Sequence, residues 1–95
     1  MRISEIEWTE GDVAHLARHD VRPDEVEEVL AGSPLWRRGR KHPETGRKSL
    51  YVLGKTDGGR YLFVVLSPRG RERARCVTAM DMDEKARRYY DRHRR

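Results

Sequence analysis

The chain has a single cysteine, a single phenylalanine, only four lysines among its 21 basic residues, and no apolar run approaching the ~20 residues that cross a bilayer. Cys76 can form no disulfide within the chain, which fits a reducing compartment. Lying between Arg75 and Val77 in an apparent strand, it reads as a buried structural thiol. The opening residues Met1-Arg2-Ile3-Ser4-Glu5 lack the apolar stretch of a signal peptide, so a cytoplasmic protein without membrane association is expected. No repeat, low-complexity tract or linker interrupts the sequence, and residues 1–95 are read as one domain. With 36% hydrophobic residues it has material for one modest core.

Charge is abundant and unevenly placed. Residues 1–36 hold three basic and nine acidic side chains, a net of −6, whereas residues 37–95 hold 18 basic and 7 acidic, a net of +11. A genome rich in G and C explains arginine in preference to lysine, but not the segregation of the two signs. A one-sided basic region concentrates phosphate polyanions and speeds encounter with them, so nucleic acid is the expected partner class.

The period of the apolar residues gives the order of elements. Residues 3–8 alternate as a short strand. Thr9, three residues before Asp12, caps a helix carrying Val13, Leu16 and Ala17, which stops near His19-Asp20. Pro23 opens a second helix, with Asp24 and Glu25 in its first turn and Val26, Val29 and Leu30 as its stripe, and Gly32-Ser33-Pro34 ends it. Leu35 to Arg38 form a short strand, then a polar loop runs from His42 to Gly46. Lys48–Lys55 and Arg60–Ser67 are strands joined by the hairpin signal Thr56-Asp57-Gly58-Gly59. Tyr61 to Leu66 is apolar on both faces and predicts a central strand covered on each side. Pro68-Arg69-Gly70 turns the chain into residues 73–79, with Ala74, Cys76 and Thr78 facing one way and Arg73, Arg75 and Val77 the other. Asp81 with Glu84 caps a last helix bearing Met82, Ala86, Tyr89 and Tyr90. The expected fold is α+β: an N-terminal short strand and two helices, an antiparallel sheet of three to four strands, and a C-terminal helix.

Little here supports cofactor chemistry. His15 and His19 have a spacing that suits zinc, but no cysteine or paired carboxylate completes a ligand set, and no metal or cofactor is expected. The glycines have turn explanations, and no serine sits in a nucleophile elbow. RNA cleavage is easier to house, because RNA supplies its own nucleophile in the 2′-hydroxyl. The protein then has to orient that group, stabilise the phosphate charge and move protons. Arg73 and Arg75, two apart on one strand, can flank a phosphate. Arg60, Arg69 and Arg71, with Arg47 or Lys48, can complete the set, and Tyr51, Tyr61 or His42 can stack on a base or assist proton transfer. Taken singly, each arginine reads first as a solvated strand edge, and only the whole set on one sheet brings the functional reading level with it.

Several motifs in sequence order resemble the BrnT family of type II toxins, which share a RelE-like ribonuclease fold. Ile6-Glu7-Trp8 is similar to the family's F-E-W start. The stretch from Ala17-Arg18-His19-Asp20-Val21 through Glu25, Glu28 and Val29 resembles its K-H-G-V-x-x-E-E-A-x-x-V-F segment, with Asp20 where glycine is usual. Tyr51-Val52-Leu53-Gly54 and Gly59-Arg60-Tyr61-Leu62-Phe63-Val64-Val65 resemble its I-G…G-R-x-L-x-V-V hairpin. Arg69-Gly70 and Arg75-Cys76-Val77-Thr78-Ala79 resemble its E-R-G turn and R-I-I-S-A-R strand, and Glu84, Arg87, Arg88 and Tyr90 its final helix. The resemblance implies a metal-independent endoribonuclease toxin. Its partners would be RNA, a cognate ribbon-helix-helix antitoxin, and operator DNA only through the antitoxin complex. Arg60, Arg69, Arg73 and Arg75 would be catalytic, and Arg47, Lys48, Arg71 and Tyr51 would bind RNA. Met80 stands where the family's strand ends in arginine, and Pro68 where its turn has glutamate. These departures imply the alternative of a catalytically attenuated relative that binds RNA or an antitoxin-like protein.

Overall fold

The computed structural model describes residues 3–41, 43 and 46–94. In chain order the elements are β1 (Glu5–Glu7), α1 (Glu10–Ala17), α2 (Pro23–Ala31), β2 (Leu35–Lys41), β3 (Lys48–Lys55), β4 (Tyr61–Gly70), β5 (Arg73–Asp81) and α3 (Glu84–His93). The α+β class and the order of elements are as expected. The sheet is larger than expected, with five strands in the order β1-β5-β4-β3-β2. It is mixed, because β1 lies parallel to β5 while the other pairings are antiparallel. Backbone bonds from the Ser4 and Glu5 amides to the Glu72 carbonyl, at 2.8 and 3.0 Å, tie β1 to the turn before β5.

Alternation along the strands sets what each face buries. Leu62, Val64 and Leu66 of β4 line up with Val52 of β3 and with Ala79 and Cys76 of β5. These residues are buried with Leu16 of α1 and Val26 and Val29 of α2 in the main core. The intervening residues Tyr61 and Phe63, with Leu53 of β3, pack under Met82, Ala86, Tyr89 and Tyr90 around α3. The central strand β4 is therefore covered on both faces, as its apolar run requires. At Gly54 there is no room for a side chain: an added Cβ would stand 2.8 Å from Val29 Cγ1, so glycine is what lets α2 lie on β3.

The helix caps follow from local chemistry. Thr9 Oγ1 accepts the Asp12 amide at 3.0 Å, and the Arg22 amide donates to Glu25 Oε1 at 3.0 Å. These satisfy amides that helix starts otherwise leave open. The cap of α3 is Asp83, which accepts from the Ala86 amide at 2.7 Å, and not Asp81.

Three further expectations are corrected. Pro68-Arg69-Gly70 belongs to β4, and the turn is Arg71-Glu72. Proline is tolerated there because the ladder is already irregular between Pro68 and Gly70. A second irregularity between Val65 and Leu66 places Cys76 opposite Leu66 and Thr78 opposite Val65, leaving Val77 as the extra residue. Ala74, Cys76 and Ala79 are thus the buried set in β5, in place of the expected Ala74, Cys76 and Thr78. The strand β2 runs on to Lys41, well past Arg38. Of the expected polar loop, His42, Glu44 and Thr45 lie outside the described residues. Cys76 is fully buried, and burial with the nearby Asp12 charge pushes its thiol up to about 12, so it is protonated and unreactive near neutral pH.

Candidate nucleic-acid interface

The antiparallel order puts two kinds of basic residue at opposite ends of the sheet. One end carries the close of β2, the start of β3, the close of β4 and the start of β5. Here Arg38, Lys41, Lys48, Arg69, Arg71 and Arg73 gather, all of them exposed. The other end carries the Thr56–Gly59 hairpin turn and Arg60.

At the basic end two clefts open side by side. One, of about 420 Å³, is lined by Arg47, Ser67, Pro68 and Arg69. The other, of about 470 Å³, is lined by Arg38, Arg47, Lys48, Leu50, Pro68 and Gly70. They share Arg47 and Pro68, and Arg47 Nη1 donates to the Pro68 carbonyl at 3.1 Å, which fixes the guanidinium at the divide. The sequence prediction of Arg47, Lys48 and Arg69 as neighbours agrees with this arrangement. Arg38 was not singled out in the sequence, where the strand was expected to end at it; the signal that could have found it is the density of arginine and lysine from Arg37 to Lys41. On an edge strand such charge also discourages strand-to-strand aggregation, but aggregation control does not require clefts.

The arginine row of β5 is differently placed. Arg75 makes a two-pronged pair with Asp12 of α1, Nε to Oδ2 at 3.1 Å and Nη2 to Oδ1 at 2.8 Å. The Asp12 side chain is 9% exposed against 38% for Arg75. Arg73 reaches Glu7 at 2.8 Å and Glu5 at 3.8 Å, and Arg69 lies 3.9 Å from Glu7. The charge of Arg73 and Arg75 is largely spent on β1 and α1, whereas Arg69, half exposed and at the limit of ion-pair range from Glu7, still faces the cleft. The acidic N-terminal third is thus folded against the arginines of β5.

Arg60 lies apart from the set with which it was grouped. It stands seven residues before Ser67, the partner of Arg75, which is about 23 Å along an extended strand. Its guanidinium is held by Asp81 at 2.7 Å, by buried Glu25 at 3.1 Å and by the carbonyls of Asp20 and His19 at 2.7 and 3.3 Å. It clamps the α1–α2 connection to the ends of β4 and β5, and it cannot share a phosphate with Arg73 and Arg75.

The aromatic candidates also divide. The Tyr61 hydroxyl donates to Asp91 Oδ1 at 3.1 Å, and its ring is flanked by Lys55 and Arg87, so it anchors α3. Tyr51 lies on the same face of the sheet and leans across β2 over Gly39, where an added Cβ would collide with the ring. Its hydroxyl accepts the Arg40 amide at 3.4 Å. His15 meets Thr78 Oγ1 at 3.1 Å and the His19 ring at 5.5 Å. His42 lies outside the described residues. Met80 stands opposite Phe63 beneath α3, and Pro68 lines both clefts.

The pair of Asp12 with Arg75 has a pH signature. The Arg75 guanidinium holds the Asp12 carboxyl below the usual carboxylate range, against the opposing effect of burial. A depressed acid contributes stability that is present above its unfolded value, ~3.9, and is lost as pH falls through the folded value. Asp12→Asn is expected to cost about 2–3 kcal/mol at pH 7, less than a fully buried pair because Arg75 remains partly solvated. Urea unfolding at pH 7 and at pH 3 checks this, and the gap from wild type should narrow at the lower pH.

Compared with protein-family models and with curated protein sequences, the chain matches none of either.

Proposed function

We propose that the chain is a BrnT-type toxin component with a RelE-like fold, an endoribonuclease that binds RNA at the basic end of its sheet and cleaves it without a metal ion. The observation that carries this reading is the pair of clefts meeting at Arg47 and Pro68, each large enough for a phosphate and walled by cations. Asp20 adds support for the resemblance. Its φ of 57° lies in the left-handed region that favours glycine, the residue usual at that position of the family pattern.

In this reading the 2′-hydroxyl of RNA gives its proton to water and attacks the adjacent phosphorus, and the 5′-oxygen of the next nucleotide leaves with a proton from water, so that a 2′,3′-cyclic phosphate and a 5′-hydroxyl form. Arg69 and Arg47 donate to the non-bridging oxygens as charge builds there, with Lys48, Arg38 and Arg71 holding the flanking phosphates. What the described walls of the two clefts supply is cationic charge, which stabilises the charge that builds on the phosphate. The enzyme acts in the cytoplasm and is neutralised by a cognate ribbon-helix-helix antitoxin, through which alone it meets operator DNA.

A second reading, binding of RNA or an antitoxin-like protein without cleavage, is favoured by the engagement of Arg73 and Arg75 with carboxylates and by Met80 at a family arginine position. Induction in bacteria, alongside incubation of purified protein with single-stranded RNA in EDTA, separates the two. Growth arrest and RNA products that persist in EDTA are expected. Bound but intact RNA with normal growth selects the second reading, and no affinity for RNA at low salt contradicts both.

A further inference from the structure

A third cavity, of about 260 Å³, lies where α3 crosses the sheet face opposite α1 and α2. Its walls are Tyr51, Leu53 and Phe63 from the sheet and Ala86 and Tyr89 from α3, with Arg37, Asp83 and Lys85 at its margin. Tyr51 and Phe63 meet edge to face at 5.1 Å, which fixes one aromatic wall. On the opposite side Arg37 lies over the Tyr89 ring at 4.7 Å, while the His93 ring stacks on Tyr89 at 4.1 Å. Tyr89 is thus covered by Arg37 and by His93, which fixes its ring as the second aromatic wall. A pocket with aromatic and aliphatic walls is what an unstacked nucleobase requires. The cationic margin of Arg37 and Lys85 suits the attached phosphate.

Asp83 adds selectivity. One of its oxygens, Oδ1, already accepts the Ala86 amide at the start of α3, which locks the side chain in place. An ionised carboxylate only accepts hydrogen bonds. It therefore favours a base whose pairing edge offers adjacent donors, and guanine offers N1–H beside its amino group. Adenine and uracil each present an acceptor to the same carboxylate.

The pocket also stands at a useful distance from the basic clefts. Phe63, in its wall, precedes Ser67, in the 420 Å³ cleft, by four residues of β4, about 13 Å along the strand. A base and a phosphate belonging to neighbouring nucleotides of one strand can span that gap.

We propose that this pocket receives one nucleobase of single-stranded RNA, with guanine preferred, and so sets the sequence preference of the basic clefts. The inference rests on the RNA reading above. The test is fluorescence anisotropy with end-labelled hexamers at low salt, comparing all-uridine RNA with the same RNA carrying one central guanosine or one central adenosine. Wild type should bind the guanosine hexamer roughly tenfold more tightly than the other two. Asp83→Asn retains a side-chain oxygen for the Ala86 amide and should bring the affinities for the three hexamers to within about a factor of two of one another. Equal wild-type affinity for the three hexamers overturns the base pocket and leaves RNA binding standing. A preference retained in Asp83→Asn overturns the role of the carboxylate. Absence of binding to every hexamer overturns the RNA reading itself.

Discussion

Replacing Lys48 and Arg69 together by glutamate is expected to weaken single-stranded RNA binding by about a hundredfold at low salt. Each residue lines one of the two clefts at the basic end, and both are exposed, so neither change removes packing. Surface substitutions of this kind usually leave stability within about 0.5 kcal/mol. Each reversal changes the charge by −2, taking the formal net charge from +5 to +1. Bulk charge alone therefore offers a competing explanation. Arg18→Glu with Arg92→Glu makes the same change in net charge on the helices, away from the clefts. If the clefts hold phosphates, the first pair loses about two contacts and its salt slope falls by about 1.4, whereas the second pair keeps the wild-type slope. Equal losses from both pairs would mean a diffuse field and no site.

Arg60→Ala is expected to destabilise the fold by about 3 kcal/mol. The guanidinium has four partners, of which Glu25 is buried, and the truncation leaves that carboxylate without its cation. Breaking a buried pair from one side costs more than the pair contributes, because the remaining charge stays desolvated. The proton on Arg60 is held more tightly than usual by Asp81 and Glu25, so the pair persists at every pH above the carboxylate range. For a domain of this size, a loss of 3 kcal/mol lowers the melting temperature by about 12–24 °C. A catalytic Arg60 predicts the opposite pattern, with melting unchanged and cleavage lost. Arg60→Ala combined with Glu25→Gln should recover part of the loss, since the orphaned charge is then removed.

The separation of these two roles was only partly legible in the sequence. Elements governed by neighbours in the chain could be read directly: the Thr9 cap, Pro23 at the first turn of α2, the apolar run of β4 and the hairpin closed by Thr56, whose hydroxyl accepts the Arg60 amide at 3.1 Å. What escaped depends on distant pairing. Nothing in Ile3 to Trp8 announces a parallel partner 68 residues away, yet the pairing of Glu5 with Arg73 makes the sheet five-stranded. The same pairing brings Glu7 to Arg73 and Arg69, while the helix that follows brings Asp12 to Arg75. The segregation of charge along the chain was real, but the fold undoes part of it. Much of the acidic third neutralises the β5 row and Arg60, and the surplus cation is left at the close of β2, the start of β3 and the Arg71 turn. Likewise, Tyr89 read only as part of a helix stripe and Asp83 was not singled out, and only the crossing of α3 over Phe63 and Tyr51 gives them a shared cavity.

The claim at the centre of this account is that RNA lies across the basic end of the sheet and not at the Arg60 end. Titrating isotopically labelled protein with a single-stranded RNA hexamer and following backbone amide shifts by NMR tests it directly. The largest shifts are expected at Arg38, Lys48, Ser67, Arg69 and Arg71, with little change at Arg60, Asp81 and Glu25. Shifts centred on Arg60 and Asp81, with the clefts around Arg47 and Pro68 unmoved, would contradict it.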